Sequence, residues 1–315
     1  MICVGRGGFL PAVMLALVVS LLQVVPAAAA CDGRRIDQQV LNPPACVPAE
    51  PLRVVILDSF YNLGMALELG APVVGAPLFA AHDARLTELA RTAGVSDIGD
   101  FRSPSLERIL ALKPDLLIGE AQLHGALYPA LSKIAPTVLI EAPDWKAHFM
   151  TLGNILGRTP AAVERLAAYE ARVAAIRARV PDTTVSIIRI APHGFHVYLD
   201  GPRAYAPYAV LREAGVKRTA YETTTDDTVL KRPDWEDIGA LDGGILLYVA
   251  AAGSARGQDD ALAAETVANP LWQMLPAVQA GRTHRLERGT WMGFNSLASA
   301  HRVLDDIERF ILTTP

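Results

Sequence analysis

The chain has 315 residues, 51% of them hydrophobic and 20% charged, and a formal net charge of −4. This mild acidity, without a basic stripe interleaved with aromatics, excludes a nucleic-acid surface. Of the three cysteines, Cys3 lies ahead of the first apolar run and is expected to leave with it, and the remaining two thiols alone make a poor metal site.

Residues 1–30 carry one basic residue, Arg6, then an apolar run from Phe9 to Val25, Pro26 and the alanines Ala27 to Ala30. The run falls short of the roughly 20 residues that a spanning helix needs, and a small-residue patch follows at once, so the segment reads as a secretory signal peptide. Cys31 comes directly after the alanines. Lipid attachment there is the alternative, with Ala28 a poor replacement for the leucine usual three residues before such a cysteine. Loss of the leader takes the net charge from −4 to −5. About 285 residues remain, more than one hydrophobic core usually serves, so two lobes are expected. No later apolar stretch is long enough to cross a bilayer, and the mature chain reads as soluble. In an oxidising compartment Cys31 and Cys46 should pair, closing a Pro-rich N-terminal segment over 31–51.

A first α/β lobe is expected over 52–158. Leu52 to Leu57 (LRVVIL) reads as a buried strand, and Tyr61 to Leu69 has helical spacing closed by Gly70. Pro72 to Gly75, a helix from about Asp83 to Thr92, Asp115 to Gly119 and Thr137 to Ile140 continue an alternation that implies parallel strands covered by helices. Over 159–181 the character changes: Thr159 to Val180 is alanine-rich and arginine-studded, with Thr159 as N-cap, Pro160 at the first helical position and Pro181 as a stop. Twenty such residues reach about 30 Å, enough to connect two lobes. A second α/β lobe over 182–315 has strands at Val185 to Ile190, Phe195 to Leu199 and Ile245 to Val249. It adds a helix near Tyr208 to Ala214 closed by Gly215 and a last amphipathic helix from Ser296 to Leu312.

The halves echo one another. Glu107-Arg-Ile-Leu-Ala-Leu-Lys-Pro-Asp-Leu-Leu-Ile and Glu236-Asp-Ile-Gly-Ala-Leu-Asp-Gly-Gly-Ile-Leu-Leu each precede a strand, and Leu67 to Gly70 pairs with Arg212 to Gly215. The expected fold is α/β, two Rossmann-like lobes with parallel sheets joined by one long backbone helix.

No Gly-rich phosphate loop, G-x-S-x-G elbow or H-E-x-x-H helix occurs. His193 and His196 are three apart across a turn, but no third metal ligand accompanies them. Asp226 and Asp227 read as solvated loop acids. A binding groove instead needs aromatics and a few charged donors, and the chain supplies both. Arg189 ends an apolar strand, where burial is costly unless an anion meets it. Arg102 lies in the turn before the echoed helix. Trp291 and Met292 lie in a Gly-rich loop. Phe60 and Tyr61 follow the first strand, and Tyr205 and Tyr208 sit in a Pro-flanked turn, whereas Trp145, Trp235 and Trp272 read as packing residues.

Pro104 to Ile118, Asn269 to Arg282, and Trp291 followed by Ser296 to Ile307 together resemble the class III periplasmic binding proteins that serve iron-siderophore and vitamin B12 importers, the ferric hydroxamate binder especially. The resemblance spans about Pro51 to Ile311. It implies two lobes that hinge little, a ferric siderophore held in the shallow groove between them, and no cofactor. It also implies that Glu107 and Glu236, one per lobe, dock against arginines of the two permease subunits of an ABC importer. On the same grounds the chain is a monomer in the periplasm and not an enzyme. Trp291 matches a ligand-facing tryptophan of that family. Arg102 is displaced by one residue from the family's hydroxamate-gripping arginine, where this chain has Phe101, and only the neighbourhood of His124 and Tyr128 matches its ligand-facing tyrosine. Arg189 resembles the strand-end arginine of relatives that bind citrate-based or mixed siderophores. The rival readings are a haem or corrinoid carrier, with His124, His193 or Tyr205 as axial ligand, and a periplasmic hydrolase, for which no nucleophile or metal triad is found.

Overall fold

A computed structural model describes residues 31–78, 83–252 and 258–313; the expected signal peptide lies outside them. Cys31 and Cys46 form the expected disulfide. It closes an antiparallel pair that sequence reasoning did not foresee, β1 (Arg34–Ile36) with β2 (Ala45–Val47).

The first lobe is built on five parallel strands in the order β5-β4-β3-β6-β7. These are β3 (Val54–Ile56), β4 (Val73–Ala76), β5 (Ser96–Asp97), β6 (Leu116–Glu120) and β7 (Thr137–Ile140). β3 and β7 are buried along their whole length, the continuous apolar pattern of a strand covered on both faces. Asp83 caps the helix Ala84–Thr92 through Arg85 N–H. A helix that the sequence reading passed over, Trp145–Leu156, starts at Asp144, whose carboxylate accepts from Lys146 and Ala147 N–H, and ends at the left-handed Gly157.

The second lobe carries β8 (Thr184–Ala191), β9 (Gly194–Tyr198), β10 (Lys217–Arg218), β11 (Leu230–Lys231), β12 (Ile245–Ala250) and β13 (Thr283–Arg285). Its order is β11-β9-β8-β12-β13, with β10 also on β8. Its core of β8, β10, β12 and β13 is parallel, as expected, and the antiparallel strands β9 and β11 extend it on one side. β8 turns directly into β9 at Pro192-His193-Gly194, so that Arg189 pairs with His196 in antiparallel register, and β11 runs antiparallel to β9. A connection this short can only return the chain antiparallel.

The long helix spans Thr159–Arg177, ends three residues before Val180, and has Arg158, not Thr159, at its N-cap position. It packs on the Trp145–Leu156 helix of the first lobe and on the C-terminal helix Leu297–Phe310 of the second. Tyr169 Oη donates to Glu213 at 2.9 Å, and Arg172 reaches Glu308 at 2.7 Å. Other ties cross between the lobes. The Glu68 carboxylate accepts from Leu297 and Ala298 N–H at 2.9 and 2.7 Å, capping the C-terminal helix from the opposite lobe. Arg85 pairs with Glu287 at 2.7 Å and Arg302 with Asp83 at 3.1 Å. Gly64 approaches the Asn295 backbone so closely that a Cβ there would lie 2.3 Å from its carbonyl oxygen.

One apolar cluster takes Val54, Ile56 and Leu116 from the first sheet, Tyr169, Val173 and Ile176 from the long helix, and Val185, Ile187, Val303 and Leu304 from the second lobe. The lobes therefore share a core behind the sheets and do not own two separate ones. Smaller clusters cover the outer face of each sheet. Among the described residues no helix is long and apolar enough to cross a membrane.

Candidate functional site

In open α/β sheets, ligands bind outside the carboxyl ends of the strands. The groove here is lined by residues following β3, at the end of β8, after β12 and after β13. It contains two adjoining cavities that share Tyr205 and Met292. The larger, about 270 Å³, adds Ser59, Phe60, Tyr61 and Phe294; the smaller, about 150 Å³, adds Arg189, Tyr198, Ala251 and Arg288. A hollow of about 370 Å³ beside the N-terminal hairpin, lined by Arg35, Asp37, Gln39 and Thr151, is a polar surface depression away from the strand ends.

Arg189 owes its place to the strand period of two. Val185 and Ile187 are buried in the shared core, and the next residue on that face, Arg189, emerges where the strand reaches the groove. Its Nη1 donates to Tyr198 Oη at 3.2 Å, and its buried Nε has no hydrogen-bond partner among the described residues. No carboxylate lies within ion-pair distance of it there, whereas the neighbouring Arg288 is paired with Asp259 at 3.0 Å. Across the strand, His196 is also partly buried with its Nδ1 unpartnered. Burial first, then the positive charges of Arg189 and Arg232, hold its pKa below the usual imidazole value. This wall of the groove is cationic and short of acceptors.

The opposite wall is the turn Ser59-Phe60-Tyr61, held from behind by a buried polar cluster. Asp58 accepts from Phe60 N–H at 3.1 Å and from Asn62 Nδ2 at 2.6 Å. Asn62 Oδ1 in turn accepts from His148 Nε2 at 2.9 Å, and His148 Nδ1 lies 3.4 Å from Glu120 Oε1. Burial pushes Glu120 up to about 8, helped by the Asp58 charge, and pushes His148 down to about 4. Near neutral pH this contact therefore joins a protonated acid to a neutral imidazole and is not an ion pair.

That assignment sets a pH dependence. A carboxyl whose folded pKa lies near 8 rather than 4.5 makes the fold lose stability as pH rises between those values. His148, lowered from 6.5 to about 4, acts in the opposite sense between 4 and 6.5, so above 6.5 Glu120 acts unopposed by it. The melting temperature should fall between pH 6.5 and 8, by the equivalent of roughly 1 kcal/mol, and Glu120→Gln should flatten that decline. An unchanged slope in the variant, followed by calorimetry, would remove Glu120 as its cause.

The expected site residues divide into three groups. Arg189, Tyr205, Met292, Phe60 and Tyr61 all line the groove. Arg102 lies at the rim, outside both cavities, with its guanidinium 4.8 Å over the Phe101 ring, which meets Phe60 edge-on at 4.9 Å. The other three require correction. Trp291 is fully buried, and its Nε1 donates to Asp306 at 2.7 Å; the C-terminal helix covers it, so it props the wall and does not face a ligand. Tyr208 is buried behind Tyr198, stacked at 5.1 Å. His124 is fully buried with both nitrogens engaged, Nδ1 accepting from Glu120 N–H at 3.1 Å and Nε2 donating to Phe101 O at 2.9 Å, which leaves no lone pair for haem iron.

Sequence reasoning missed Tyr198, Ser59, Phe294 and Arg288. Tyr198 could have been found from the alternation in Phe195 to Leu199, where Phe195, Val197 and Leu199 are buried and His196 and Tyr198 point to the other face. Glu107 and Glu236 are both exposed and lie at the starts of a helix (Leu106–Ala111) and a 3-10 turn (Asp237–Ala240). Among the described residues no cluster of His, Cys, Asp and Glu is arranged to hold a metal ion.

A family model described as periplasmic binding protein matches residues 54–288. The chain belongs to the periplasmic binding protein family. A probable siderophore-binding lipoprotein of Bacillus subtilis is 28% identical over 279 residues, covering 85% of each chain. An achromobactin-binding periplasmic protein of Dickeya dadantii is 30% identical over 225 residues, 69% of this chain and 72% of that one. The fold matches that of SirA of Staphylococcus aureus, solved with staphyloferrin B, with a TM-score of 0.72 over 88% of this chain and 97% of that one at 21% identity. Ligand capture is the function of the family.

Proposed function

We propose that this protein captures a ferric siderophore carrying free carboxylates in the groove between its lobes and delivers it to an ABC importer. The observation that carries the carboxylate assignment is Arg189. It is a part-buried guanidinium in the groove wall that, among the described residues, is hydrogen-bonded through its side chain to a phenol alone, with one donor unpartnered and no carboxylate within ion-pair distance. Such a charge is costly to hold unless an anion completes it, and the planar fork suits a carboxylate or chelate oxygens. Phe60, Tyr61, Tyr205 and Met292 offer apolar faces to the organic skeleton of the chelate. The relatives named for siderophore and achromobactin binding support the cargo class, as does a relative named for ferric citrate binding. The protein acts as a carrier and not as an enzyme.

Glu107 and Glu236, exposed and without an ion-pair partner among the described residues, are the permease contacts in this reading. Residues 1–30 are its export leader, and the Cys31 sulfur, held in the disulfide with Cys46, is unavailable for a thioether-linked lipid. The test is a fluorescence titration of the mature chain with ferric citrate and with a neutral ferric hydroxamate, each against its iron-free form. Saturable quenching by the anionic ferric chelate, at least tenfold tighter than by the neutral one, is expected. Equal affinity for both would contradict the carboxylate assignment.

A further inference from the structure

The two echoed segments line up residue for residue in sequence around their glutamates, although the first forms an α-helix and the second a 3-10 turn. Pro104-Ser105-Leu106-Glu107 is followed by a buried Ile109, and Pro233-Asp234-Trp235-Glu236 by a buried Ile238. In both, the residue two before the glutamate accepts a backbone N–H with its side chain: Ser105 Oγ, the N-cap of its helix, from Arg108 N–H at 3.3 Å, and Asp234 Oδ1, in the turn ahead of the 3-10 element whose N-cap is Glu236, from Glu236 N–H at 2.8 Å. Each lobe thus presents, at the start of a short helical element in the echoed sequence, one exposed carboxylate with no ion-pair partner among the described residues.

Apolar side chains accompany both. In the first lobe Leu110 is 60% exposed and Leu106 37%, and helical spacing places Leu110 beside both Glu107 and Leu106. In the second lobe the position equivalent to Leu110 is Gly239, beside which, among the described residues, there is open space where a side chain would stand. There the apolar surface comes from the short helix Pro270–Gln273, which packs on the 3-10 turn after Glu236. Trp272 and Ile238 share a buried cluster, while Leu271 and Met274 stay 42% and 67% exposed. Four of the eight large apolar side chains exposed among the described residues thus belong to the elements that carry, or pack beside, the two glutamates. Large exposed apolar groups gathered around a charge mark an interaction site more than chance exposure does.

We infer that Leu106 with Leu110, and Leu271 with Met274, are the apolar halves of two matched docking patches, each completed by its glutamate. The partner is a pair of two-fold related permease subunits, each presenting a cation with apolar side chains around it. Two exposed negative charges on a repeated sequence, neither with an ion-pair partner among the described residues, ask for two positive ones on a symmetric partner, and a self-complementary face on a second copy of this chain would instead bring like charges together. This inference rests on the docking role proposed for Glu107 and Glu236 and adds the surface that shields those ion pairs from water.

The experiment measures ferric chelate uptake by iron-starved cells that depend on the full-length chain, carrying either Leu110→Ser with Met274→Ser or Val163→Ser, a control with a side chain 51% exposed on the long helix. Uptake should fall at least tenfold in the double variant and stay unchanged in the control, with ligand affinity and melting temperature of the purified proteins unaltered. Normal uptake in the double variant, where Glu107→Lys with Glu236→Lys abolishes it, would overturn the apolar patches alone. Normal uptake in both double variants would overturn the docking reading as well. A dimer of the purified chain that Leu110→Ser with Met274→Ser dissolves would also overturn the inference, since the patches would then be covered by a second copy.

Discussion

Replacing Arg189 with alanine should weaken binding of an anionic ferric chelate at least tenfold, about 1.4 kcal/mol, without lowering the melting temperature. The two readouts separate a ligand contact from a structural one. Among the described residues the Arg189 side chain holds one hydrogen bond, to Tyr198 Oη, and leaves Nε unpartnered, so the free protein gains little from it and loses the cost of a part-buried charge when it is removed. A structural arginine would behave in the opposite way. The buried pair of Arg218 with Glu222, 2.5 Å apart, is the internal comparison, since truncating one of those partners strands the other. Arg189→Lys should recover part of the affinity by restoring charge without the planar fork. A dissociation constant unchanged in Arg189→Ala would take this residue out of the site.

Reversing both exposed glutamates, Glu107→Lys with Glu236→Lys, should abolish uptake in cells while leaving the affinity of the purified protein for its chelate intact. The two carboxylates sit on the echoed elements after β5 and before β12, neither lines the groove cavities, and neither has an ion-pair partner among the described residues that the change would break. Reversal replaces attraction by repulsion at two places on one interface, and like-charge juxtaposition costs several kcal/mol. Lost ligand affinity in this variant, measured by the same fluorescence titration, would show that the glutamates support the fold of the groove and do not dock.

Much of the architecture was legible because it is written in local patterns. Thr137–Ile140 has the expected bounds, and the helix starts at Asp83 and Ser296 are capped by the side chains that announce them. The Trp145–Leu156 helix carried the same kind of signal, Asp144 before it and Gly157 after it, and was passed over. The antiparallel return of β9 was readable in principle from the short turn at Pro192-His193-Gly194.

Burial that depends on distant segments was not legible. Trp291 follows a Gly-rich stretch and reads as a loop residue. Only the return of the C-terminal helix, which brings Asp306 to its indole, places it inside. His124 reads as a candidate ligand until the carbonyl of Phe101, 23 positions earlier, takes its second nitrogen. That Arg189 lines the groove was recognisable because the cost of a charge ending an apolar strand is a local fact, whereas its neighbours in space, Tyr198 and Arg288, needed the sheet and the β13 loop to bring them there.

The most direct measurement is anomalous diffraction at the iron edge from crystals of the mature protein grown with ferric citrate. A single iron peak should lie in the groove, between the wall carrying Arg189 and Tyr198 and the wall carrying Phe60 and Tyr61, with ligand oxygens on the Arg189 guanidinium. Iron bound anywhere else, or a saturated protein with an empty groove, would contradict capture between the lobes.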